Sequence, residues 1–222
     1  ALGVHQNVRH KPHGVMAVLG PYNFPADVPA GQIIPALIAG NAVLFKPSEK
    51  TPATGAMLVE LFHEAGIPAD LLRLVVGGAK EGDALVRHPD VNGVLFTGSA
   101  RTGIAINRVL AATLEKIVAL EMGGNNPIVL WDTGDIVAAA TIIAQSAFSS
   151  AGQRCTAARR LIARESLARP VIAELRKIIA RLIVDHTPSD GLAIFTQSDI
   201  RKDGVWIDKS FLVAEGARAA GG

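Results

Sequence analysis

The chain has 222 residues, 49% of them hydrophobic and 19% charged, which is room for one large domain or two small ones and excludes wholesale disorder. Lys and Arg number 22 against 20 Asp and Glu, a formal net charge of +2, and aromatic residues make up only 5%, so neither nucleic acid nor an anionic membrane surface is expected as a partner. A single cysteine, Cys155, rules out an internal disulfide and a zinc cage built from cysteines.

The opening residues, Ala-Leu-Gly-Val-His-Gln-Asn, lack a basic segment followed by an apolar one, so no secretory leader is expected, and a reducing, cytoplasmic setting suits the lone thiol. Short apolar runs bounded by Gly and Pro predict strands at Val15–Leu19, Ala42–Phe45, Leu72–Val76, Gly93–Phe96 and Ile117–Leu120. Their unbroken apolar character suits strands covered on both faces. Helical periodicity predicts Pro52–Ala65, with Thr51 as N-cap and Gly66 as the stop, then Glu81–Arg87, closed by His88-Pro89, and Thr102–Leu114. The most apolar stretch, Ile33 to Phe45, is broken by Pro35, Gly40 and Asn41 and is too short to span a bilayer. The segments Ile38 to Ala42, Pro68 to Leu71 and His88 to Asn92 read as turns. This alternation predicts a parallel sheet with right-handed crossovers.

A second unit is expected from Asn125, giving domains 1–124 and 125–222. It reads as a strand at Pro127–Leu130, a helix at Asp135–Ser149, a loop at Ala151–Ala158 carrying Cys155, a strand at Arg159–Ala163 and a helix at Ser166–Ile183. Beyond Asp185, Thr187 to Gly191 reads as a loop and Phe211 to Ala219 as a last helix.

Open α/β sheets bind ligands beyond the carboxyl ends of their strands, and polar groups and glycines gather there in this chain. Gly20-Pro-Tyr-Asn-Phe-Pro25 follows the first strand, Lys46-Pro-Ser-Glu49 the second, Gly77-Gly78 the third, Thr97-Gly-Ser99 the fourth and Glu121-Met-Gly-Gly124 the fifth. Asn23 offers an amide to a developing oxyanion, or an ordinary Asx turn. Lys46 and Glu49 suit ribose or phosphate, or a helix start with Pro47 in its first turn. Gly98 to Gly103 links a strand to a helix whose N–H groups could receive a pyrophosphate, although neither the dinucleotide glycine fingerprint nor a Walker A motif is present. A partly desolvated Glu121 suits a general base, or a loop brace. Cys155, beside Arg154, is a candidate nucleophile, since a nearby cation favours the thiolate, or else a small buried hydrophobe. The six histidines show no metalloprotease spacing, and His10 and His13 read as surface residues.

Together, Pro21-Tyr-Asn-Phe-Pro25, Lys46-Pro-Ser-Glu49, Phe96-Thr-Gly-Ser99, Leu120-Glu-Met-Gly-Gly124 and Gly152-Gln-Arg-Cys155 resemble, in order and spacing, the motifs of the NAD(P)-dependent aldehyde dehydrogenases. The resemblance runs from about Arg9 to Val184. It implies an α/β fold: a Rossmann-type NAD-binding domain, a parallel sheet with helices on both faces, incomplete at its N-terminus, followed by the start of a second α/β catalytic domain. By the resemblance Cys155 is the nucleophile, Glu121 the general base and Asn23 the oxyanion-hole amide. Lys46 and Glu49 match the adenosine-ribose contacts. Gly98, Ser99, Ala100, Arg101, Thr102 and Gly103 match the nucleotide loop, with Met122 and Gly123 also at the cofactor. NAD and a small aldehyde are the implied ligands, no metal is implied, and full-length members are homo-oligomers. The family's Glu-x-Phe-Gly-Pro segment does not occur in this sequence, so a fragment without its own catalysis is the alternative. Arg-His-Lys-Pro-His-Gly-Val and Leu-Glu-Met-Gly-Gly-Asn-Asn-Pro look most like members that oxidise an acidic semialdehyde in arginine catabolism, and Arg101 and Arg154 are the candidates to meet its charge.

Overall fold

The computed structural model describes residues 9–186, 200–202 and 205–207. The chain divides into two compact units, Ala1–Gly123 and Gly124–Gly222. In the first, β1 (Val15–Leu19), β2 (Ala42–Lys46), β3 (Leu72–Leu74), β4 (Val91–Gly98) and β5 (Ile117–Met122) form one sheet in the order β3-β2-β1-β4-β5, every neighbouring pair parallel. The connections are α1 (Asp27–Ile38), α2 (Pro52–Glu64), α3 (Ala79–Arg87) and α4 (Ala100–Leu110).

Side chains alternate across a strand, and β1 uses both faces. Met16 and Val18 pack with Ile33 and Ala36 of α1, Val59 of α2, and Val43, Phe45 and Leu72. Ala17 and Leu19 pack with Val86 of α3, Ile106 and Leu110 of α4, and Val91, Val94 and Phe96. The sheet is therefore covered on both sides, as its unbroken apolar runs require. Met16 lies opposite Gly93 in register, and any Cβ at that glycine would run into the Met16 side chain.

The sequence expectations omit α1 altogether. Pro29, Gly31 and Pro35 disguise it. Pro29 lies in the first turn, where a helix has no use for its N–H, while Pro35 forgoes one internal bond, and burial of Ile33 and Ala36 outweighs that loss. Other boundaries move as well. β3 stops at Leu74, and Val91 and Asn92 belong to β4 rather than to a turn. The helix expected at Thr102–Leu114 begins at Ala100, where Ser99 caps it, and ends at Leu110, leaving Leu114 91% exposed. Thr51 stands at the N-cap of α2 but makes no capping bond, and its buried Oγ1 has no partner among the described residues. Gly66 ends that helix at φ +98°, a conformation that favours glycine.

Buried Asn41 ties the entry to β1 to the entry to β2. Its Oδ1 accepts from the His13 and Gly14 N–H groups at 2.6 and 3.0 Å, and its Nδ2 donates to the Ala36 carbonyl at 2.9 Å. His10 and His13 themselves are exposed, as expected. Lys116 closes the C-terminus of α3 by donating to the Val86 and His88 carbonyls at 3.1 and 2.7 Å.

In the second unit, β6 (Asn126–Leu130) and β7 (Ala158–Ala163) pair in parallel. α5 (Ile136–Phe148) and α6 (Glu165–His186) supply a core of Ala140, Ile143 and Val171, against which Ile128, Leu130 and Leu161 pack. Asp135 caps α5 by accepting from the Ala138 N–H at 2.9 Å. After α5 the chain makes a 3-10 turn over Ser149–Gly152, with Ser150, Ala151 and Gly152 at φ +54°, +56° and +69°. A short antiparallel pair, β8 (Ile200–Lys202) and β9 (Val205–Ile207), was not expected. The loop expected at 187–191 and the helix expected at 211–219 lie outside the described residues. No helix among the described residues is long and apolar enough to cross a membrane.

Two expectations for stability follow from these geometries. Asn41→Ala leaves the His13 and Gly14 N–H groups without their side-chain acceptor, while the Ala36 carbonyl keeps the main-chain N–H of residue 41, and it should lower unfolding free energy by about 1–3 kcal/mol in urea titration. Ala151→Gly relieves a left-handed non-glycine residue and should stabilise by about 0.5–1 kcal/mol after the entropy of the unfolded glycine is counted. Gly152→Ala should do the opposite, because its φ is +69° and a Cβ there would stand 3.0 Å from the Ala147 carbonyl oxygen. Thermal melts of the two variants shifting in the same direction would contradict the assigned backbone.

Candidate active site

The loops at the carboxyl edge of the first sheet are tied to one another. Leaving β1, Gly20 donates its N–H to the Lys46 carbonyl at 2.9 Å. Tyr22 and Asn23 follow in a bend before α1, Asn23 half-buried, and the Lys50 ammonium lies 4.7 Å from the centre of the Tyr22 ring. Lys46, the last residue of β2, is 8% exposed, and its Nζ donates to the Pro47 carbonyl at 2.9 Å and the Gly77 carbonyl at 3.0 Å. Burial pushes the Lys46 ammonium below the usual lysine range, while the charges of Glu49 and Glu81 pull the other way.

Glu49 is exposed. Pro47 does not open a helix, since α2 starts at Pro52; instead Gly55 packs on the Pro47 ring, where a Cβ would come within 2.5 Å. At the start of α3, Glu81 accepts from the Gly78 N–H at 2.7 Å. Hydrogen bonds from the Glu81 and Gly78 N–H groups hold its carboxyl below the usual range.

The order of strands reverses between β1 and β4, the position at which doubly wound sheets open a crevice. Asn23 follows one of these strands and the segment Gly98 to Gly103 the other. Ser99 caps α4, its Oγ accepting from the Thr102 N–H at 3.2 Å, and the Gly103 N–H goes to the Ser99 carbonyl at 3.0 Å. The N–H groups of Ala100 and Arg101 lie in that first turn, ahead of the intrahelical hydrogen-bond ladder, a position that suits an outside acceptor.

Gly98 has no room for a Cβ, which would stand 2.5 Å from the Phe96 ring, and a Cβ at buried Gly103 would stand 2.5 Å from the Met122 sulfur. The helix start is thereby held close to β4 and β5. Gln32 of α1 donates from Nε2 to Thr97 Oγ1 at 3.0 Å, while its buried Oε1 has no partner among the described residues. The orphaned Gln32 acceptor and the N–H groups of a helix start at the switch point fit a polar nucleotide. Gln32 was not anticipated, because a glutamine inside an unrecognised helix carries no signal of its own.

Glu121, Met122 and Gly123 end β5, an edge strand. The partial desolvation expected of Glu121 is not observed: its side chain is exposed, and among the described residues only β4 flanks this strand. The nine residues Asn23, Lys46, Glu49 and Gly98 to Gly103, together with Glu121 to Gly123, thus all belong to the carboxyl edge of the first unit.

Cys155 belongs to the second unit and is exposed, contrary to the buried alternative. It sits between the strained 3-10 turn and β7, with exposed Arg154 before it. Several bonds fix this loop. The Ala157 N–H donates to the Arg154 carbonyl at 3.1 Å, and Arg159 Nη2 donates to the Gly152 carbonyl at 3.3 Å. Asn126 Nδ2 donates to the Cys155 and Ala157 carbonyls at 2.6 and 3.2 Å. Asn126 also went unanticipated, since its partners lie 29 and 31 residues away. Arg160 Nε donates to the Asn125 carbonyl at 3.0 Å. Left-handed non-glycine residues concentrate at functional sites, and here Ser150 and Ala151 lie five and four residues before the only thiol.

The family model described as "Aldehyde dehydrogenase family" matches residues 2–218. The chain is 65% identical over 190 residues to an N-succinylglutamate 5-semialdehyde dehydrogenase of Sphingopyxis alaskensis, an alignment covering 86% of this chain and 40% of the relative. It is 60% identical over 214 residues to the protein of the same name from Novosphingobium aromaticivorans, covering 95% of this chain and 45% of that one. Among solved structures, an NAD-dependent aldehyde dehydrogenase from Sinorhizobium meliloti superposes with a TM-score of 0.72 at 36% identity, over 76% of this chain and 33% of that one. The chain therefore spans less than half the length of these relatives. With the family match running almost from end to end and the fold in agreement, the chain belongs to the aldehyde dehydrogenase family.

Proposed function

We propose that residues 1–124 form the NAD-binding domain, and residues 125–222 the first part of the catalytic domain, of a dehydrogenase that oxidises an aldehyde to a carboxylic acid. The substrate proposed is N-succinylglutamate 5-semialdehyde, the compound in the names of both curated relatives. The observation that carries this reading is the exposed Cys155 within Gly152-Gln-Arg-Cys155, in a chain that the family matches over residues 2–218.

NAD, when bound, supplies the acceptor for the hydride that leaves the substrate carbon. The Ala100 and Arg101 N–H groups suit its phosphates, with Gly98, Ser99, Thr102 and Gly103 shaping the turn. Lys46 and Glu49 suit its adenosine ribose, and Met122 and Gly123 border it. The Cys155 thiolate forms a bond to the aldehyde carbon, and the carbonyl electrons move onto oxygen. The Asn23 amide and the Cys155 main-chain N–H donate to that oxyanion. As the carbonyl re-forms and the hydride departs, a thioester remains on Cys155. Glu121 takes a proton from the water that attacks the thioester, the carbon–sulfur bond breaks, and the acid leaves with the thiolate restored. Arg154 and Arg101 suit the carboxylates of the substrate. A cytoplasmic homo-oligomer is the setting we propose, by analogy with the family.

Purified chain with NAD and the semialdehyde should form NADH, and Cys155→Ala should abolish it, a loss of about 1,000-fold or more. Activity surviving in Cys155→Ala would remove the cysteine mechanism. A folded wild-type chain that forms no NADH would favour a second reading, a fragment without its own catalysis that binds nucleotide weakly or not at all, for which the coverage of 40% and 45% of the relatives speaks. Glu49 next to the ribose should repel a 2′-phosphate, so Glu49→Gln should narrow the preference for NAD over NADP by about tenfold in kcat/KM. An unchanged ratio would take Glu49 out of cofactor selection.

A further inference from the structure

We propose that Asn126 is a positioning residue for Cys155, holding the nucleophile in place through the main chain of its loop; this rests on the reading of Cys155 as the nucleophile. Both N–H donors of the Asn126 amide are engaged, one with the Cys155 carbonyl at 2.6 Å and one with the Ala157 carbonyl at 3.2 Å. These carbonyls flank Thr156, and the Ala157 N–H closes the same turn onto the Arg154 carbonyl at 3.1 Å. The amide therefore fixes two peptide planes just beyond Cys155. Asn126 itself opens β6, whose neighbours Ile128 and Leu130 pack against the core of the second unit, so the anchor is rigid. At its far end the loop is anchored by buried Ala157.

The ladder has a register shift at the same place. Asn126 pairs with Ala158 and Pro127 with Arg160, which leaves Arg159 outside the pairing. A bulge of this kind re-aims the chain beside a site. Arg159 uses that freedom to donate back to the Gly152 carbonyl at 3.3 Å, so the loop is braced on the side before Cys155 too.

Gly124 is part of the device. A Cβ there would come 2.5 Å from Asn126 Oδ1 and 3.2 Å from its Cγ. A side-chain end ordinarily yields at little cost, but this amide is held by two hydrogen bonds, and yielding would turn it off both carbonyls. Thiol attack needs its reacting atoms aligned, and a misplacement of about 1 Å can cost about 100-fold in rate.

The test compares the wild-type chain with Asn126→Asp, which keeps the shape but sets acceptors against two carbonyls, and with Gly124→Ala. Amide hydrogen exchange at Ala157 should quicken by about tenfold or more in both variants while the circular dichroism of the fold is kept. Unchanged exchange in Asn126→Asp overturns the proposal. In NADH formation, kcat should fall by about tenfold to 100-fold with KM for the aldehyde within about twofold of wild type, a split that general loosening would not give. A kcat within about twofold of wild type in Asn126→Asp overturns the positioning role as well. Should the wild-type chain form no NADH, the dehydrogenase reading of this chain fails by itself, and the exchange at Ala157 still decides whether Asn126 holds the loop.

Discussion

Burial of the first sheet on both faces governs what this chain can do with its polar residues. Because Met16 and Val18 enter one core and Ala17 and Leu19 the other, neither face of β1 can carry a charged group without an unpaired burial cost. Chemistry is confined to the strand ends, where the backbone meets solvent. The parallel arrangement then places all five carboxyl ends on one edge, so groups distant in sequence meet there without further design. The bonds from Lys46 to Pro47 and Gly77, and from Gln32 to Thr97, are consequences of that confinement.

Lys46 shows how far the constraint reaches. A buried ammonium is tolerable only when its protons find acceptors, and here two main-chain carbonyls receive them. The carbonyls come from the loops after β2 and β3, so the lysine fixes the spacing between those loops while keeping its head at the sheet edge. Burial lowers its proton affinity, and the carboxylates of Glu49 and Glu81 offset part of that loss. A cation so held is oriented by the fold itself, through the Pro47 and Gly77 carbonyls.

The strands were the most legible part of the sequence, since doubly buried strands must be apolar without interruption. Val15–Leu19 is observed as expected, and β2, β4 and β5 extend their expected cores by one to four residues. Legibility failed where tertiary packing overrode local signals. α1 contains Pro29, Gly31 and Pro35, each a breaker by propensity, yet Ile33 and Ala36 are buried in the first core. Thr51 has the right position for a cap without forming one. Glu121 was expected to be shielded because Ile-Val-Ala-Leu precedes it, but hydrophobic neighbours along an edge strand do not cover its end. The carboxyl-edge residues could be picked out from their place after strands, whereas the partners of Gln32 and Asn126 could not, because each bond joins segments that only the fold brings together.

The second unit solves a different problem. Under the proposed reading of Cys155 as the nucleophile, the thiol needs exposure to meet substrate, yet an exposed loop is free to wander, and wandering is incompatible with aligned attack. Exposed Cys155 lies in a loop with few apolar contacts to hold it, only Ala157 being buried. Rigidity must then come from main-chain geometry and polar braces. Ser150 and Ala151 adopt left-handed conformations that a relaxed chain would avoid, and the bonds from Arg159, Asn126 and the Ala157 N–H lie on either side of the thiol. Strain of this order persists only where the surroundings over-determine the backbone. The hydrogen bonds that brace the loop also account for how that strain can be sustained beside an exposed thiol.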